Sequence, residues 1–248
     1  MRQAFVLGCR VDAIDGGEAV QAIRRLVLHH RASLVVTLGT EMIVRAQGDA
    51  RFRAVVNASV LSLCDTVGVM FAARFAGVRV RQRVTGIDLI ESLCSAFAGD
   101  GTSIFILGSK GDTAQRAGRA LAALHPGLMI AGVRDGYFAA SEDAAVAAEV
   151  ARCGAQVLFA GLGSPRQELW LSDHLKETGC AVGIGIGGSL DVLAGNVQRA
   201  PVFWQRAHAE WLYRLLREPQ RWRRQLALPH FVWLVMRDRA KHALPRRS

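Results

Sequence analysis

The sequence has few of the features that mark secreted, zinc-binding or membrane-spanning proteins. Its five cysteines are an odd number and include no Cys-x-x-Cys pair, which argues against a disulfide framework and against a zinc site. No uncharged stretch reaches the roughly 18 to 20 residues that span a bilayer. The first residues meet Asp12 before any signal-like apolar run develops. We therefore expect a protein of the reducing cytoplasm, and any contact with a membrane to be from one side.

Several catalytic signatures are also missing. The chain contains no Walker A sequence, no G-x-S-x-G elbow and no H-E-x-x-H motif. It has no D-x-D pair that could hold a divalent ion on a nucleotide diphosphate. We accordingly predict no metal and no cofactor. A diphosphate leaving group would have to be stabilised by arginines and helix N-termini instead.

The positive charge lies mainly near the C-terminus. The net charge is +10, and the residues from Arg199 to Ser248 contain twelve Lys or Arg against three acidic residues. Four of the five tryptophans lie in the same stretch. We predict a nearly neutral globular body over residues 1–198 and a basic, tryptophan-rich helical appendage over residues 199–248. An anionic membrane surface and a nucleic acid are both possible partners for such a segment.

The body alternates short β-branched runs with segments of helical periodicity, which predicts an α/β fold with a mostly parallel, Rossmann-like sheet and helices on both faces. The predicted strands are residues 33–38, 60–64, 103–108, 128–133, 156–161 and 181–188. The predicted helices are residues 18–30, 51–58, 88–98, 113–124, 142–152 and 167–178.

Local signals predict where some helices begin and end. The sequences DTAQ (112–115) and SPRQ (164–167) each match a capping box, with Pro165 at the first helical position. In the appendage, apolar residues from Phe203 onward follow a helical spacing that Pro219 ends. Two further short segments, 220–228 and 230–241, are predicted on either side of Pro229.

Polar residues at the carboxyl ends of the predicted strands are the candidates for chemistry. Asp65 follows the strand at 60–64, where it could act as a general base or as the N-cap of the next helix. Arg83 and Asp88 flank Thr85 and Gly86 just before a helix, which suits either a phosphate site or an ordinary helix cap. The residues alone leave both pairs of alternatives open.

Three glycine-rich turns, at residues 107–115, 160–168 and 183–191, follow strands. Each would let the backbone approach a nucleotide closely, but none is a full G-x-G-x-x-G with an acidic residue about twenty positions later. A nucleotide or phosphate site is indicated, and a nicotinamide-dependent oxidoreductase is disfavoured.

Eight segments together resemble the WecG/TagA/CpsF glycosyltransferases, glycosyltransferase family 26. The segments are VVTLGTEMIV, LCDTVGVMFAAR, RVTGIDLI, IFILGSKGDTA, GYF, VLFAGLGSPRQELW, GIGGSLDVLAGNVQRAP and EWLYRLLREPQRWRR. The resemblance implies an inverting, metal-independent enzyme at the cytoplasmic face of the membrane. Such an enzyme moves a sugar from a UDP-sugar to a polyprenyl-diphosphate-linked acceptor. The resemblance also implies self-association through the body.

The same resemblance assigns roles to individual residues. Asp65 matches the proposed catalytic base, and Thr37, Arg83 and Gln167 match active-site positions. Gln167 has an alternative role, as the second half of the capping box. From the appendage, arginines at positions matched by Arg214, Arg221 and Arg224 would close over the site and stabilise a diphosphate.

Two departures from the family pattern concern the sugar that is transferred. Many relatives have Asn where this chain has Gly39, and Gly where it has Thr66. Loss of an amide at Gly39 removes hydrogen bonds that could distinguish substrates. Both UDP-glucose, as in the xanthan-type and acetan-type branch, and UDP-N-acetylmannosamine are therefore candidate donors. A basic nucleic-acid-binding α/β protein is the alternative function.

Overall fold

The structure is a computed structural model that describes residues 2–201, 203–204, 210–217 and 226–243. Over these residues the chain forms an α/β fold in which helices cover both faces of one eight-stranded sheet. The predicted fold class and the mostly parallel sheet are confirmed.

The sheet combines one antiparallel hairpin with parallel strands. The strands are β1 (Gln3–Val6), β2 (Cys9–Asp12), β3 (Ser33–Leu38), β4 (Leu61–Cys64), β5 (Ser103–Gly108), β6 (Met129–Arg134), β7 (Val157–Gly161) and β8 (Val182–Gly185). Their order is β1-β2-β4-β3-β8-β7-β5-β6. Only β1 and β2 pair antiparallel. The carboxyl ends of β3, β4, β5, β7 and β8 therefore lie along one edge, where ligands of such sheets bind.

Eleven α-helices lie in the described part of the chain, with a short 3₁₀ turn at Ala140–Glu142. They are α1 (Gly16–Leu28), α2 (Thr40–Gly48), α3 (Ala50–Ala58), α4 (Val67–Phe75), α5 (Gly86–Phe97), α6 (Thr113–Leu124), α7 (Asp143–Arg152), α8 (Arg166–His174), α9 (Ser189–Leu193), α10 (Glu210–Arg217) and α11 (Ala227–Ala243).

The core forms on both faces of the sheet. Helices α1, α5, α6 and α9 bury their apolar sides against one face. On the other face, α2, α3, α4 and α11 cover the half containing β1 to β4, and α7 and α8 cover the half containing β5 and β7. Strands β4, β7 and β8 are buried along their whole length, which explains their continuous apolar sequences.

The β1–β2 hairpin, α2, the short helix α9 and the 3₁₀ turn were not predicted from the sequence. The hairpin of β1 and β2 consists of four-residue strands, and its turn places Leu7 at φ 50°, a conformation that leucine rarely adopts. Helix α2 begins at Thr40, directly after Gly39. All six predicted strands and six predicted helices are present, with boundaries that differ by a few residues.

The predicted boundary at Pro229 is wrong, whereas Pro219 and residues 220–225 of the segment predicted at 220–228 lie outside the described residues. The last helix begins at Ala227 and continues through Pro229 to Ala243. A proline in the first turn is compatible with a helix because the N–H it lacks would have no intrahelical partner there. This helix packs on α2 and α4 and buries Phe231 and Leu234 in the core. It is thus attached to the body.

Candidate active site

The carboxyl ends of β3 and β4 bring Asp65 and Gly39 side by side. Leu38 pairs with Cys64 at the end of the two strands, and the Asp65 N–H donates to the Leu38 carbonyl at 3.1 Å. A methyl group on Gly39 would lie 4.0 Å from Asp65 Oδ2 and 3.5 Å from Thr66 Cγ2. The half-buried Asp65 carboxylate therefore faces the space that a larger residue at position 39 would fill.

Asp65 is not a helix cap, so that alternative is wrong. The N-cap of α4 is Thr66, and the N-cap of α2 is Gly39. Neither accepts a side-chain hydrogen bond from the first turn of its helix, whereas α3 and α5 are capped by Asp49 and Thr85. First-turn N–H groups of α2 and α4 thus flank the Asp65 carboxylate without side-chain caps, an arrangement suited to binding an anion.

Arg83 lies at the same strand end. The N–H of the next residue, Val84, donates to the Cys64 carbonyl at 2.7 Å. The pKa of the Cys64 thiol is raised to about 12, mainly by burial and also by the Asp65 carboxylate, against a lowering by the Arg83 guanidinium. The Asp65 and Arg83 charges thus both act on Cys64 from close by. Because this thiol stays protonated at neutral pH, Cys64 is no nucleophile here.

The segment after Arg83 contains an ordinary helix cap. Thr85 is the N-cap of α5, and its Oγ1 accepts from the Asp88 N–H at 3.3 Å. The Asp88 carboxylate is paired with Arg199. A side chain on Gly86 would come within 3.0 Å of Ser189 Oγ, so the start of α5 touches the turn after β8. The cap interpretation of Thr85 is confirmed, and the segment also brings Arg83 to the site.

Thr37 links the two central strands beneath this site. Its hydroxyl donates to the Gly185 carbonyl at 2.9 Å, and the side chain is almost completely buried. Thr37 precedes Gly39 by two residues. The bond therefore holds the carboxyl ends of β3 and β8 in register, directly below the point where Asp65 emerges.

Gln167 performs a similar structural role. Only 2 % of it is exposed, its Oε1 accepts from the Gly187 N–H at 3.0 Å, and its Nε2 donates to Glu168 Oε1 at 2.7 Å. Helix α8 begins at Arg166 after Pro165, with no side-chain cap. The predicted capping box at residues 164–167 is therefore wrong. The side chain of Gln167 fixes the turn after β8.

The capping box predicted at residues 112–115 is also absent. Asp112 is the N-cap of α6, as the sequence indicates, but its side chain accepts no bond from the first turn. Its carboxylate instead pairs with Arg116 Nε at 3.2 Å, one turn along the helix. The Arg116 guanidinium thus takes the Asp112 carboxylate that would otherwise accept from the backbone N–H groups of the first turn.

Glu168 is a buried carboxyl that the sequence analysis missed. It is 0 % exposed, and its Oε2 has no hydrogen-bond partner among the described residues. Burial raises its pKa, and hydrogen bonds from Gln167 and Ser164 lower it to a smaller extent. The helical spacing of Glu168, Leu171 and Leu175 placed it on the buried side of α8. That spacing was the signal that could have identified it.

The three glycine-rich turns lie next to one another after β5, β7 and β8. A side chain on Gly108 would overlap the Gly161 carbonyl. The turns after β5 and β7 can therefore pack this closely only because position 108 is glycine. Ser109 Oγ reaches Asp191 Oδ2 at 3.5 Å, which ties the first turn to α9. Lys110 lies 5.8 Å from the exposed ring of Tyr137. Close packing of the turns explains the glycine at position 108. Ser109, Lys110 and the exposed Tyr137 ring provide polar and aromatic groups at this edge that a ligand could contact.

The described residues include only one of the three appendage arginines predicted at the site. Arg214 lies in α10, where its backbone alone is described, and Arg221 and Arg224 lie outside the described residues. Within the part of the chain that the structure covers, no three His, Cys, Asp or Glu side chains group as a metal site would require. None of the described helices has both the length and the apolar composition to cross a membrane.

Comparison with known proteins identifies relatives of the whole described body. Residues 4–244 match the glycosyl transferase WecG/TagA/CpsF family. An N-acetylglucosaminyldiphosphoundecaprenol N-acetyl-beta-D-mannosaminyltransferase of Bacillus spizizenii is 34 % identical over 87 % of this chain and 83 % of its own. A Bacillus subtilis protein of the same name is 32 % identical over 83 % of this chain and 80 % of its own.

Proposed function

Because the chain belongs to the WecG/TagA/CpsF family of glycosyltransferases, we propose that it transfers N-acetylmannosamine from UDP-N-acetylmannosamine to a sugar carried on polyprenyl diphosphate. The observation that carries this proposal is Asp65, a carboxylate at a strand end between two helix N-termini without side-chain caps. The names of both relatives support this donor and give no support to the glucose branch. The family match also includes most of the basic segment on which the nucleic-acid hypothesis depended.

Asp65 is the proposed general base. Its carboxylate accepts the proton of the acceptor hydroxyl as that oxygen forms a bond to the anomeric carbon of the donor. The bond from this carbon to the diphosphate breaks in the same step, and UDP leaves with the electron pair. Attack opposite the leaving group inverts the anomeric centre. This step requires no nucleophile on the enzyme, in agreement with the protonated Cys64 thiol.

The departing diphosphate is stabilised by fixed positive groups. Arg83 and the first turns of α2 and α4 lie around Asp65. Their charge and dipoles are already oriented before reaction, which makes such groups effective in a site with little water. Arg214, Arg221 and Arg224 of the appendage are proposed to complete this positive surface. The nucleoside is proposed to lie against the glycine-rich turns, near Tyr137.

A lipid-linked acceptor would require the enzyme to work at a membrane surface. We propose that the protein is peripheral on the cytoplasmic face of the cell membrane, with residues 1–198 as the catalytic body and residues 199–248 as the membrane-associating appendage. The basic, tryptophan-rich composition of the appendage supports this assignment, since such segments bind anionic interfaces.

A donor and acceptor panel tests the proposal directly. The full chain would be incubated with UDP-N-acetylmannosamine, UDP-N-acetylglucosamine or UDP-glucose, each with and without N-acetylglucosaminyl-diphosphoundecaprenol in vesicles. UDP release should occur with UDP-N-acetylmannosamine and only when the acceptor is present. Absence of UDP release in every combination would refute the proposed reaction, and faster transfer from UDP-glucose would refute the donor.

Asp65→Asn should lower kcat by about 10²- to 10⁴-fold, the usual contribution of a general base. The substitution keeps the shape of the side chain, and Asp65 caps no helix, so the unfolding midpoint should change little. UDP affinity, measured by calorimetry, should also be nearly unchanged. Near-normal kcat, or a variant that fails to fold, would contradict the assigned role.

Gly39→Asn tests the empty space beside Asp65. An amide there would reach the reacting sugars, and Asn is itself a favoured N-cap, so α2 should be maintained. We expect the ratio of kcat/KM for UDP-N-acetylmannosamine over UDP-glucose to rise roughly tenfold, as one new polar contact can provide. Gly39→Ala is the matched control, and an equal ratio in both variants would show that position 39 does not select the donor.

A further inference from the structure

A cluster of large apolar side chains is exposed on one flank of the body. Phe71 and Phe75 lie one turn apart on α4 and are 52 % and 55 % exposed. Val232 and Met236 lie one turn apart on α11 and are similarly exposed. Phe5 of β1 completes the group, which we call the α4–α11 face. Isolated exposed apolar residues are common, but a group drawn from three neighbouring elements indicates an interaction surface.

A groove runs between these elements. Its volume is about 360 Å³, and it is lined by the β1–β2 hairpin, α4 and α11. Phe75, Phe5 and Val235 contribute to its walls, and Arg239 lies over the Phe75 ring at 4.9 Å. The groove is therefore mostly apolar, with one acidic and one basic side chain, Asp238 and Arg239, among its lining residues.

The charges around the face are mostly positive. Arg74 is exposed on α4, within one turn of both Phe71 and Phe75, and Arg237 lies over the Trp233 ring at 4.5 Å. The sequence from Thr66 to Ile87 contains four arginines and no acidic residue. On the described residues of α11, Asp238 is the single acidic side chain. Aromatic rings that carry arginines suit a boundary between hydrocarbon and anionic headgroups.

We propose that the α4–α11 face docks on an anionic lipid bilayer, so that α4 and the β1–β2 hairpin of the body bind the membrane together with α11 of the appendage. A two-fold contact with a second copy would bring together two faces that each carry Arg74, Arg237 and Arg239 against Asp238 alone, and this excess of like charge disfavours a dimer through the same face. An anionic lipid surface satisfies both the exposed apolar groups and the arginines.

The inference rests on the proposed function, because a lipid-linked acceptor gives the docking its purpose. Helix α4 begins two residues after Asp65 and ends at Phe75, so it joins the proposed base to the groove. Nine helical residues span about 13 Å. Docking along α4 would bring the acceptor diphosphate close to Asp65 while its hydrocarbon chain stays in the bilayer.

Vesicle binding by full-length variants tests the inference. Phe71→Asp and Met236→Asp should each weaken binding to phosphatidylglycerol-containing vesicles at least fivefold. Leu124→Asp is the matched control, since Leu124 is 63 % exposed on α6, a helix of the opposite sheet face. Arg74→Gln should weaken binding by about fivefold at low salt, equivalent to roughly 1 kcal/mol, and by less at high salt. Less than a fivefold loss for both apolar variants would overturn the inference.

Two acceptors separate this inference from the reaction it depends on. Phe71→Asp should lose transfer to the undecaprenyl acceptor in vesicles but keep transfer to a short-chain, water-soluble analogue. If the unsubstituted protein uses neither acceptor, the proposed function fails. Equal activity of Phe71→Asp and the unsubstituted protein on both acceptors would refute the docking face alone. If sedimentation shows that the substitution converts a dimer to a monomer, the face is a contact between copies and the inference also fails.

Discussion

Two carboxyl groups at the catalytic edge have opposite surroundings. Asp65 is half-buried beside Arg83 and two helix N-termini, which stabilise a carboxylate. Glu168 is enclosed by the turn after β8, and burial raises its pKa. A protonated Glu168 keeps the bond from Gln167 while placing no charge in the core. Asp65 is thus exposed enough to serve as the proposed base, and Glu168 maintains the shape of the site.

Glu168→Gln should change how stability depends on pH. In the unfolded chain this carboxyl ionises near its ordinary value of 4.5. The folded protein retains the proton to higher pH, so the free energy of unfolding falls as pH rises from about 4.5 to the folded pKa. Glutamine removes this loss. The variant should therefore gain stability relative to the unsubstituted protein between pH 5 and pH 8.

Urea unfolding at pH 5 and pH 8 measures this difference, with Glu91→Gln, a half-buried glutamate on α5, as control. If the stability difference between Glu168→Gln and the unsubstituted protein is the same at both pH values, Glu168 is ionised in the fold. Such a result would remove the explanation given for its contact with Gln167.

At the scale of single elements, the sequence predicted the strands and helices that follow from patterns of neighbouring residues. The six parallel strands are continuous apolar runs, and their helices repeat at helical spacing, so both were predictable. The hairpin of β1 and β2 was not, because its strands are short and its turn places Leu7 in a left-handed conformation. The position of Asp65 followed from strand order. The buried bond of Thr37 joins residues 148 positions apart, and that of Gln167 joins residues 20 positions apart, so neither could be deduced from local sequence.

Helix α11 shows how tertiary contacts decide an ambiguous element. Pro229 indicated a break, but burial of Phe231 and Leu234 against α2 and α4 stabilises one helix that includes the proline in its first turn. A side chain on Gly68 would lie 3.6 Å from the Phe231 ring, so α11 contacts α4 three residues after Asp65. Packing of α11 against the body therefore affects the geometry of the candidate active site.

Phe231→Ala should destabilise this docking by about 3 kcal/mol, the usual loss for a buried phenylalanine. Hydrogen exchange should become faster in α11 and at the start of α4, with little change in the central strands. Trp233→Ala, at an exposed position of the same helix, should leave both rates unchanged. Equal exchange in the two variants would show that Phe231 does not attach the helix to the body.

The whole molecule combines a nearly neutral body with a basic C-terminal region. Most of the net charge of +10 lies after residue 198, while α11, within that region, is packed into the core of the body. The proposed boundary between body and appendage therefore divides the net charge of the chain clearly, but it does not divide the packed core, because α11 of the appendage is part of that core. Membrane attraction and core stability depend on the same fifty residues, and their contributions have to be measured independently.

Truncation after Pro201 and the full-length double variant Arg221→Gln/Arg224→Gln distinguish these contributions. Truncation uncovers the core surface beneath Phe231 and Leu234, so we expect a folded protein that is less stable by about 3 to 6 kcal/mol, from roughly 1.5 to 3 kcal/mol for each buried side chain. It should also lose most vesicle binding, because it keeps only the α4 and β1 part of the α4–α11 face, and most activity. The double variant retains α11 and should keep its stability while losing activity, because it removes charge alone. Circular dichroism, urea unfolding and UDP release measure the three properties.

A truncated protein with full activity would show that neither the arginines nor the last helix takes part in catalysis. A fully active double variant would instead restrict the role of this region to packing and membrane attachment.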